Sequence, residues 1–412
     1  MIITVVGLGF VGLTAAAGFA SKGHTVYGVE KDPEKRDMIS RGKLPFYEPH
    51  MESVLLKTLN SRLFICEDQS DVAGNSDCVF YCVGTPVGTN GDADLHFLFK
   101  AVGETLPFLS TEKKTALVVK STVPAGTLRN EIAPLICASG IELGRNVELV
   151  SNPEFLREGN SWEDFMNPDR IVIGAMNEDG FDILKSVYSG FHAPFVCVSP
   201  TTAEFTKYLS NTMLATMISF SNEMSIAAGK IGDIDVKTAF RTLQEDRRWA
   251  ENTMKSYLYP GCGYGGYCLP KDTQAMYYTG TINGAEMPLI GSVMETNEKI
   301  ADYVADCLLE GCGKDSSIGI LGLAFKPFTD DVRDTPSARV IKRLYERGVR
   351  SIVAYDPMSE LNFQKVFPDW PIRYPGSAGM VIEQCERTAI LTAWPEFTAL
   401  SDQPGVMDFR YM

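Results

Sequence analysis

The 412-residue chain is too long for one domain at roughly 150 residues each, and at 45% apolar residues too hydrophobic for disorder. Its 38 Lys and Arg against 52 Asp and Glu give a formal net charge of −14, which argues against a broad basic face for nucleic acid or an anionic membrane. Ten cysteines follow no disulfide framework, and the C-x5-C pair Cys262 and Cys268 is not a zinc spacing. A cytoplasmic protein with reduced, buried thiols and no metal is expected.

Met1 to Ala20 carries no charge, but it lacks a basic leader and holds glycine at 7, 9, 12 and 18. A strand, a glycine turn and a small-residue helix fit it better than a membrane span. Ile2 to Val6 is a β-branched run, read as a buried parallel strand. Gly7-Leu-Gly9-Phe-Val-Gly12 follows, then a helix over Leu13 to Ser21 and a strand from His24 to Val29 that ends at Glu30. This is a dinucleotide-binding unit in its full context. Gly7 permits the turn, Gly9 lets amides approach a pyrophosphate, and Gly12 lets the helix pack close. Glu30 suits a ribose diol and repels a 2′-phosphate, which favours NAD over NADP, although Lys31 stands beside it.

Strands over Cys78 to Val83 and Ala116 to Lys120 end in Gly84-Thr85-Pro86 and Ser121-Thr122-Val123-Pro124. Hydroxyls at strand ends reach ligands in doubly wound sheets, but Thr85 and Thr122 read equally well as turn caps. Val147 to Val150 leads into Ser151-Asn-Pro-Glu154-Phe-Leu-Arg-Glu158. If this segment is helical, Glu154 and Glu158 share a face. Solvated capping is the alternative.

Thr202 to Ile231 reads as one helix, with Phe205, Leu209, Met213, Met217, Phe220 and Met224 forming an apolar stripe fit for a second subunit. Lys207 and Asn211 lie one turn apart on a neighbouring face, where Lys207 alternatively snorkels to solvent. Tyr259 to Asp272 packs four glycines into six positions, so its backbone closely approaches something. It delivers Cys268 just before a helix expected to start near Lys271 and Asp272, where dipole and lysine favour a thiolate. A nucleophile and an inert thiol are both open for Cys268, while Cys262 reads as structural. Strands over Ser317 to Leu323 and Ser351 to Tyr355, with a helix over Ser337 to Arg347, make a second βαβ unit without the glycine fingerprint. Lys326 and Arg333 there read as anion-binding cations or as partners of Asp330, Asp331 and Asp334.

The motifs GLGFVG, CVGTP, KSTVPAGT, SNPEFLREG, AEFTKYLSN, PGCGYGGYCLPKD and LAFKPFTDDVRDTP, in that order, resemble those of the UDP-glucose/GDP-mannose dehydrogenase family over nearly the whole chain. The resemblance implies an α/β fold of two doubly wound, Rossmann-like domains joined by a long central helix. It implies an NAD domain over 1–198, a helical dimerisation domain over 199–300 and a UDP-sugar domain over 301–412. The implied partner is UDP-glucose, oxidised at C6 to the carboxylate with two NAD, in a homodimer without nucleic acid or membrane. Cys268 then corresponds to a nucleophile passing through thiohemiacetal and thioester. Lys207 and Asn211 stabilise oxyanions, Asp272 positions water, Glu154 is the base for hydrolysis and Thr122 orients that water. Gly7, Gly9, Phe10, Val11, Gly12, Glu30, Lys35, Thr85, Pro86, Thr122, Glu158 and Arg333 match cofactor positions. Glu154, Phe155, Leu156, Lys207, Asn211, Tyr257, Gly265, Lys326 and Arg410 match substrate positions.

Some positions depart from the family pattern. Tyr267 stands where members often have serine, and Asp246 to Tyr257 is longer than usual, so the family's interface-crossing arginine falls at Arg247 or Arg248. Asp408-Phe409-Arg410 replaces an Asp-Gly-Arg. Other readings are the same chemistry on GDP-mannose or a UDP-N-acetylhexosamine, a two-electron 3-hydroxyacid dehydrogenase, and a catalytically silent nucleotide-sugar sensor. The N-acetylhexosamine enzymes tend to have histidine before the nucleophile. The Cys268 loop and C-terminal βαβ unit count against the hydroxyacid enzyme. The presence of Cys268, Lys207 and Asp272 counts against the sensor.

Overall fold

The computed structural model describes all residues except Thr111, residues 247–256, Leu258 and residues 313–315. Arg247 and Arg248 therefore lie outside the described residues. The chain divides into two compact units, Met1–Leu209 and Ser210–Met412. Among the described residues, no helix is long and apolar enough to cross a membrane.

The first unit is built on eight strands: β1 (Ile2–Val6), β2 (Thr25–Val29), β3 (Leu63–Cys66), β4 (Cys78–Tyr81), β5 (Thr115–Val119), β6 (Val147–Ser151), β7 (Ile171–Gly174) and β8 (Phe195–Val198). Their order is β3-β2-β1-β4-β5-β6-β7-β8. Among the described residues of this sheet, β6 and β7 are the one antiparallel pair of strands. The order reverses between β1 and β4, the crevice where doubly wound sheets bind ligands. Apolar side chains of β1 serve both faces of the sheet. Ile3 and Val5 pack with Leu13, Ala16 and Phe19, whereas Val6 packs with Val79, Tyr81 and Leu98. Burial on both faces explains the unbroken β-branched run. The helix Phe10–Ser21 buries Ala15, Ala16 and Ala17 completely, so its small residues serve close packing on the sheet.

The second unit holds five parallel strands, β9 (Ser317–Leu321), β10 (Ser351–Tyr355), β11 (Ile372–Arg373), β12 (Arg387–Ile390) and β13 (Val406–Asp408), ordered β11-β10-β9-β12-β13. β9 ends two residues before the expected Leu323, because Gly322 adopts φ +98° and leaves the extended region. Asp356, just beyond β10, accepts hydrogen bonds from the amides of Leu323 (2.8 Å) and Ala324 (3.2 Å) and so fixes the turn after β9.

The long helix spans Pro200–Ile231, and the division between the units falls inside it. Five residues of its stripe, Phe205, Leu209, Met213, Phe220 and Met224, are 40% to 55% exposed in the single chain, while Met217 is buried. Of the ten cysteines, Cys78, Cys82 and Cys262 are buried and the other seven are partly or fully exposed, which corrects the expectation of generally buried thiols.

Candidate active site

The glycine turn of the first unit carries out three separate tasks. Gly7 has φ +89°, a conformation side chains rarely adopt. A Cβ on Gly12 would sit 1.8 Å from the Gly7 carbonyl oxygen, so the helix approaches the turn as only glycine allows. A Cβ on Gly9 would meet nothing within 4 Å, so the helix N-terminus faces open space. That combination fits a pyrophosphate on the amides before Phe10 and Val11, both half-buried. Glu30 is buried and accepts hydrogen bonds from the Leu8 amide at 3.2 Å and the Asp32 amide at 3.1 Å. Lys35 lies 3.4 Å from the same carboxylate. Lys31 is paired with Glu104. Thr85 donates to the Thr122 carbonyl at 2.8 Å, joining the ends of β4 and β5, and Pro86 beside it is half-buried. These residues fit an NAD molecule laid across the β1–β4 crevice.

A second group in this unit surrounds Glu154. The segment after β6 is not helical, so Glu154 and Glu158 do not share a helix face. The next helix begins only at Ser161. Glu154 is buried and accepts from the Leu156 amide at 2.6 Å. Lys207 is buried too, 3.0 Å from the Glu154 carboxylate, so it does not snorkel. Its ammonium also lies 5.4 Å from the centre of the Phe155 ring. Burial opposes charge on Glu154, but the adjacent Lys207 and the Leu156 amide outweigh it and hold the carboxyl below its usual range. Glu154 is therefore ionised at neutral pH. Glu158 is half-buried in the following turn.

The second unit places Cys268 at the first residue of the helix Cys268–Ile282, with its side chain exposed. The helix starts earlier than expected because Pro270 occupies its third position, where a missing N–H costs no internal bond. Asp272 is buried, accepts from Asn211 Nδ2 at 2.5 Å and pairs with Lys271. Burial opposes the Lys271 charge, but Asp272 and Cys268 outweigh it and hold its pKa above the ordinary value. An exposed thiol at a helix N-terminus beside an obligate cation is the setting of a reactive cysteine. Cys262, by contrast, is buried and its thiol is pushed up to about 12 by burial.

The glycines before Cys268 are explained by packing within the same unit. Gly261 faces the Arg410 guanidinium, Gly265 faces the Asp334 carbonyl and Pro336, and Gly266, with φ +80°, faces the Phe325 ring. Arg410 is thus placed against the loop. Arg333 forks onto Asp331, with contacts of 2.6 to 3.0 Å, and stacks 4.5 Å from the centre of the Tyr267 ring. The acidic pairing considered for that loop is present. Lys326 lies over Phe325 at 5.4 Å, and Tyr257 is half-buried in a turn.

Sequence reasoning missed three supports. Asn222 accepts from the Gly261 amide at 2.7 Å, and Asn297 exchanges two hydrogen bonds with the Tyr264 backbone, at 2.8 and 3.1 Å. Lys120 is buried behind Glu154. Asn222 had a signal, since it follows Asn211 by three helical turns on the same helix.

Three models of one family match consecutive parts of the chain. The NAD binding domain of the UDP-glucose/GDP-mannose dehydrogenase family matches residues 1–192, its central domain 201–299 and its UDP binding domain 319–412. A UDP-glucose 6-dehydrogenase of Rickettsia bellii is 36% identical, covering 100% of this chain and 95% of that protein. One from Pseudomonas aeruginosa is 34% identical, covering 96% and 88%. The solved UDP-glucose dehydrogenase of Pyrobaculum islandicum is 37% identical with a TM-score of 0.92, covering 100% and 94%.

Proposed function

Because this chain belongs to the UDP-glucose/GDP-mannose dehydrogenase family and is an NAD-dependent dehydrogenase, we propose that it oxidises UDP-glucose at C6 to UDP-glucuronate through a covalent Cys268 intermediate. NAD, when bound, supplies the two-electron acceptor for each of two oxidations. The first oxidation turns the C6 alcohol into an aldehyde. The Cys268 thiolate adds to the aldehyde carbon, giving a thiohemiacetal that stays on the enzyme. The second oxidation converts the thiohemiacetal to a thioester. Water attacks the thioester carbon, the C–S bond breaks, and carboxylate and free thiol result.

Lys207 and Asn211 stabilise the negative oxygen that forms at each addition. Asp272 and Thr122 orient the water, and Glu154 takes its proton. Gly7, Gly9, Phe10, Val11, Gly12, Glu30, Lys35, Thr85, Pro86, Glu158 and Arg333 serve the cofactor. Phe155, Leu156, Tyr257, Gly265, Lys326 and Arg410 serve the nucleotide sugar. The same reading divides the chain into an NAD domain over 1–198, a dimerisation domain over 199–300 and a UDP-sugar domain over 301–412. It makes the protein a cytoplasmic homodimer joined through the stripe of Pro200–Ile231.

The observation that carries the covalent route is Cys268, exposed at a helix N-terminus with the Lys271–Asp272–Asn211 group behind it. A two-electron dehydrogenase needs no thiol there. The test is the NADH formed per UDP-glucose consumed with NAD in excess. Two NADH per sugar is expected, and Cys268→Ala should abolish turnover. One NADH per sugar, unaffected by Cys268→Ala, overturns the covalent route. Two NADH from another nucleotide sugar alone corrects the substrate.

A further inference from the structure

Lys120 lies at the end of β5, just before Ser121 and Thr122, with 4% of its surface exposed. Its ammonium meets neutral oxygens: Asn152 Oδ1 at 3.1 Å, the Asn152 carbonyl at 3.4 Å and the Tyr188 hydroxyl at 3.5 Å. The ring of Phe165 lies 6.0 Å away. Burying a cation against neutral groups is costly, and a neutral side chain of similar shape would fill the space more cheaply. The cost points to a task that needs the charge.

Asn152 shows what that task is. Its amide donates to the Val119 carbonyl at 2.9 Å, and its Nδ2 donates to the Val172 carbonyl at 2.8 Å. Tyr188 donates to its Oδ1 at 2.7 Å, the same oxygen that Lys120 holds. Tyr188 is itself wedged between Phe19 and Phe191, each with its ring centre 5.3 Å away. Asn152 is thus fixed from β5, β7 and the aromatic core. Only Pro153 separates it from Glu154, so these bonds set where the Glu154 carboxylate starts its approach to Lys207 and the Leu156 amide.

We propose that Lys120 is a positioning residue for hydrolysis of the thioester: through Asn152 it aims Glu154, and its charge helps keep that carboxylate ionised to accept the proton of water. The inference rests on Glu154 being the base of that step. Two facts agree with it. The Lys120 charge favours the ionised form of Glu154, and burial lowers the pKa of Lys120 to about 8, so the cation persists at neutral pH. Lys120 also precedes Thr122 by two residues, so one strand end holds the lysine and the threonine assigned to the water.

The experiment is a rapid-mixing measurement on the full chain with UDP-glucose and excess NAD, followed by intact mass after an acid quench. Glu154→Gln is the control. It should release two NADH per site in a burst, then turn over at least tenfold more slowly, with the acyl group on Cys268. If it does not, Glu154 is not the base, and the premise falls with the inference. Given that control, Lys120→Met should also keep the two-NADH burst, slow turnover by about tenfold and accumulate the acyl-enzyme. A folded Lys120→Met that slows burst and turnover equally, or that accumulates no acyl-enzyme, overturns the inference alone. Should Lys120→Met fail to fold, Tyr188→Phe decides. This variant loosens Asn152 by one hydrogen bond and should accumulate acyl-enzyme with turnover slowed severalfold, and its absence is an equal refutation.

Discussion

Lys207 and Glu154 are each almost wholly buried, so neither charge has water to fall back on. Removing one partner of such a pair typically costs about 3–5 kcal/mol, because the other is left as an uncompensated buried charge. Lys207→Met should therefore lower the urea midpoint measurably, independent of any effect on catalysis. The double variant Lys207→Met/Glu154→Gln should recover a large part of the loss, since it removes the stranded carboxylate. Both side chains were legible as candidates because family motifs carry them. Their pairing was not, since no helical or strand period relates a loop after β6 to a helix after β8. Lys120 was hidden more fully. As the last residue of an apolar run it reads as an ordinary lysine where a strand meets solvent, and only the sheet shows that β6 and Tyr188 cover it.

Glu204, on the long helix one turn before Lys207, caps a neighbouring element. Its carboxylate accepts from the amides of Gly126 at 2.5 Å and Leu128 at 2.9 Å, where the turn Leu128–Ile132 begins. Burial pushes its pKa from 4.5 up to about 7, against the pull of those amides and with Glu131 adding to the rise. The folded state thus binds the Glu204 proton more tightly than the unfolded chain does. Its contribution to stability is full below pH 4.5 and is lost as pH rises through about 7. Relative to Glu204→Gln, the wild type should lose on the order of 3 kcal/mol between pH 5 and pH 8, read from urea unfolding at both values. At this scale the sequence was informative for parallel strands buried on both faces, which leave unbroken β-branched runs. Boundaries were less so. Pro270 reads as a marker just before a helix yet sits inside its first turn, and Gly322 ends β9 by a dihedral angle that composition does not reveal.

For the whole molecule, the exposed stripe on Pro200–Ile231 is the main unfinished surface, and the homodimer proposed above would cover it. A lysine in place of Phe220 would force a charge into that apolar contact. Phe220→Lys should convert the sedimentation profile from dimer to single chain at micromolar concentration, while Phe97→Lys, an equally exposed residue away from the helix, should not. The stripe was legible as a helical period, although which of its members face outward was not: Met217 shares the spacing but is turned into the core. Two of the outward residues, Met213 and Met224, carry thioethers. A thioether in water forms a sulfoxide readily under dilute peroxide, and one sealed by a partner does not. The same stripe that would join two chains therefore records whether they are joined. Oxygen added at Met213 and Met224 counts the separated chains, and the polar, chiral sulfoxides it leaves would oppose their reunion until they are reduced.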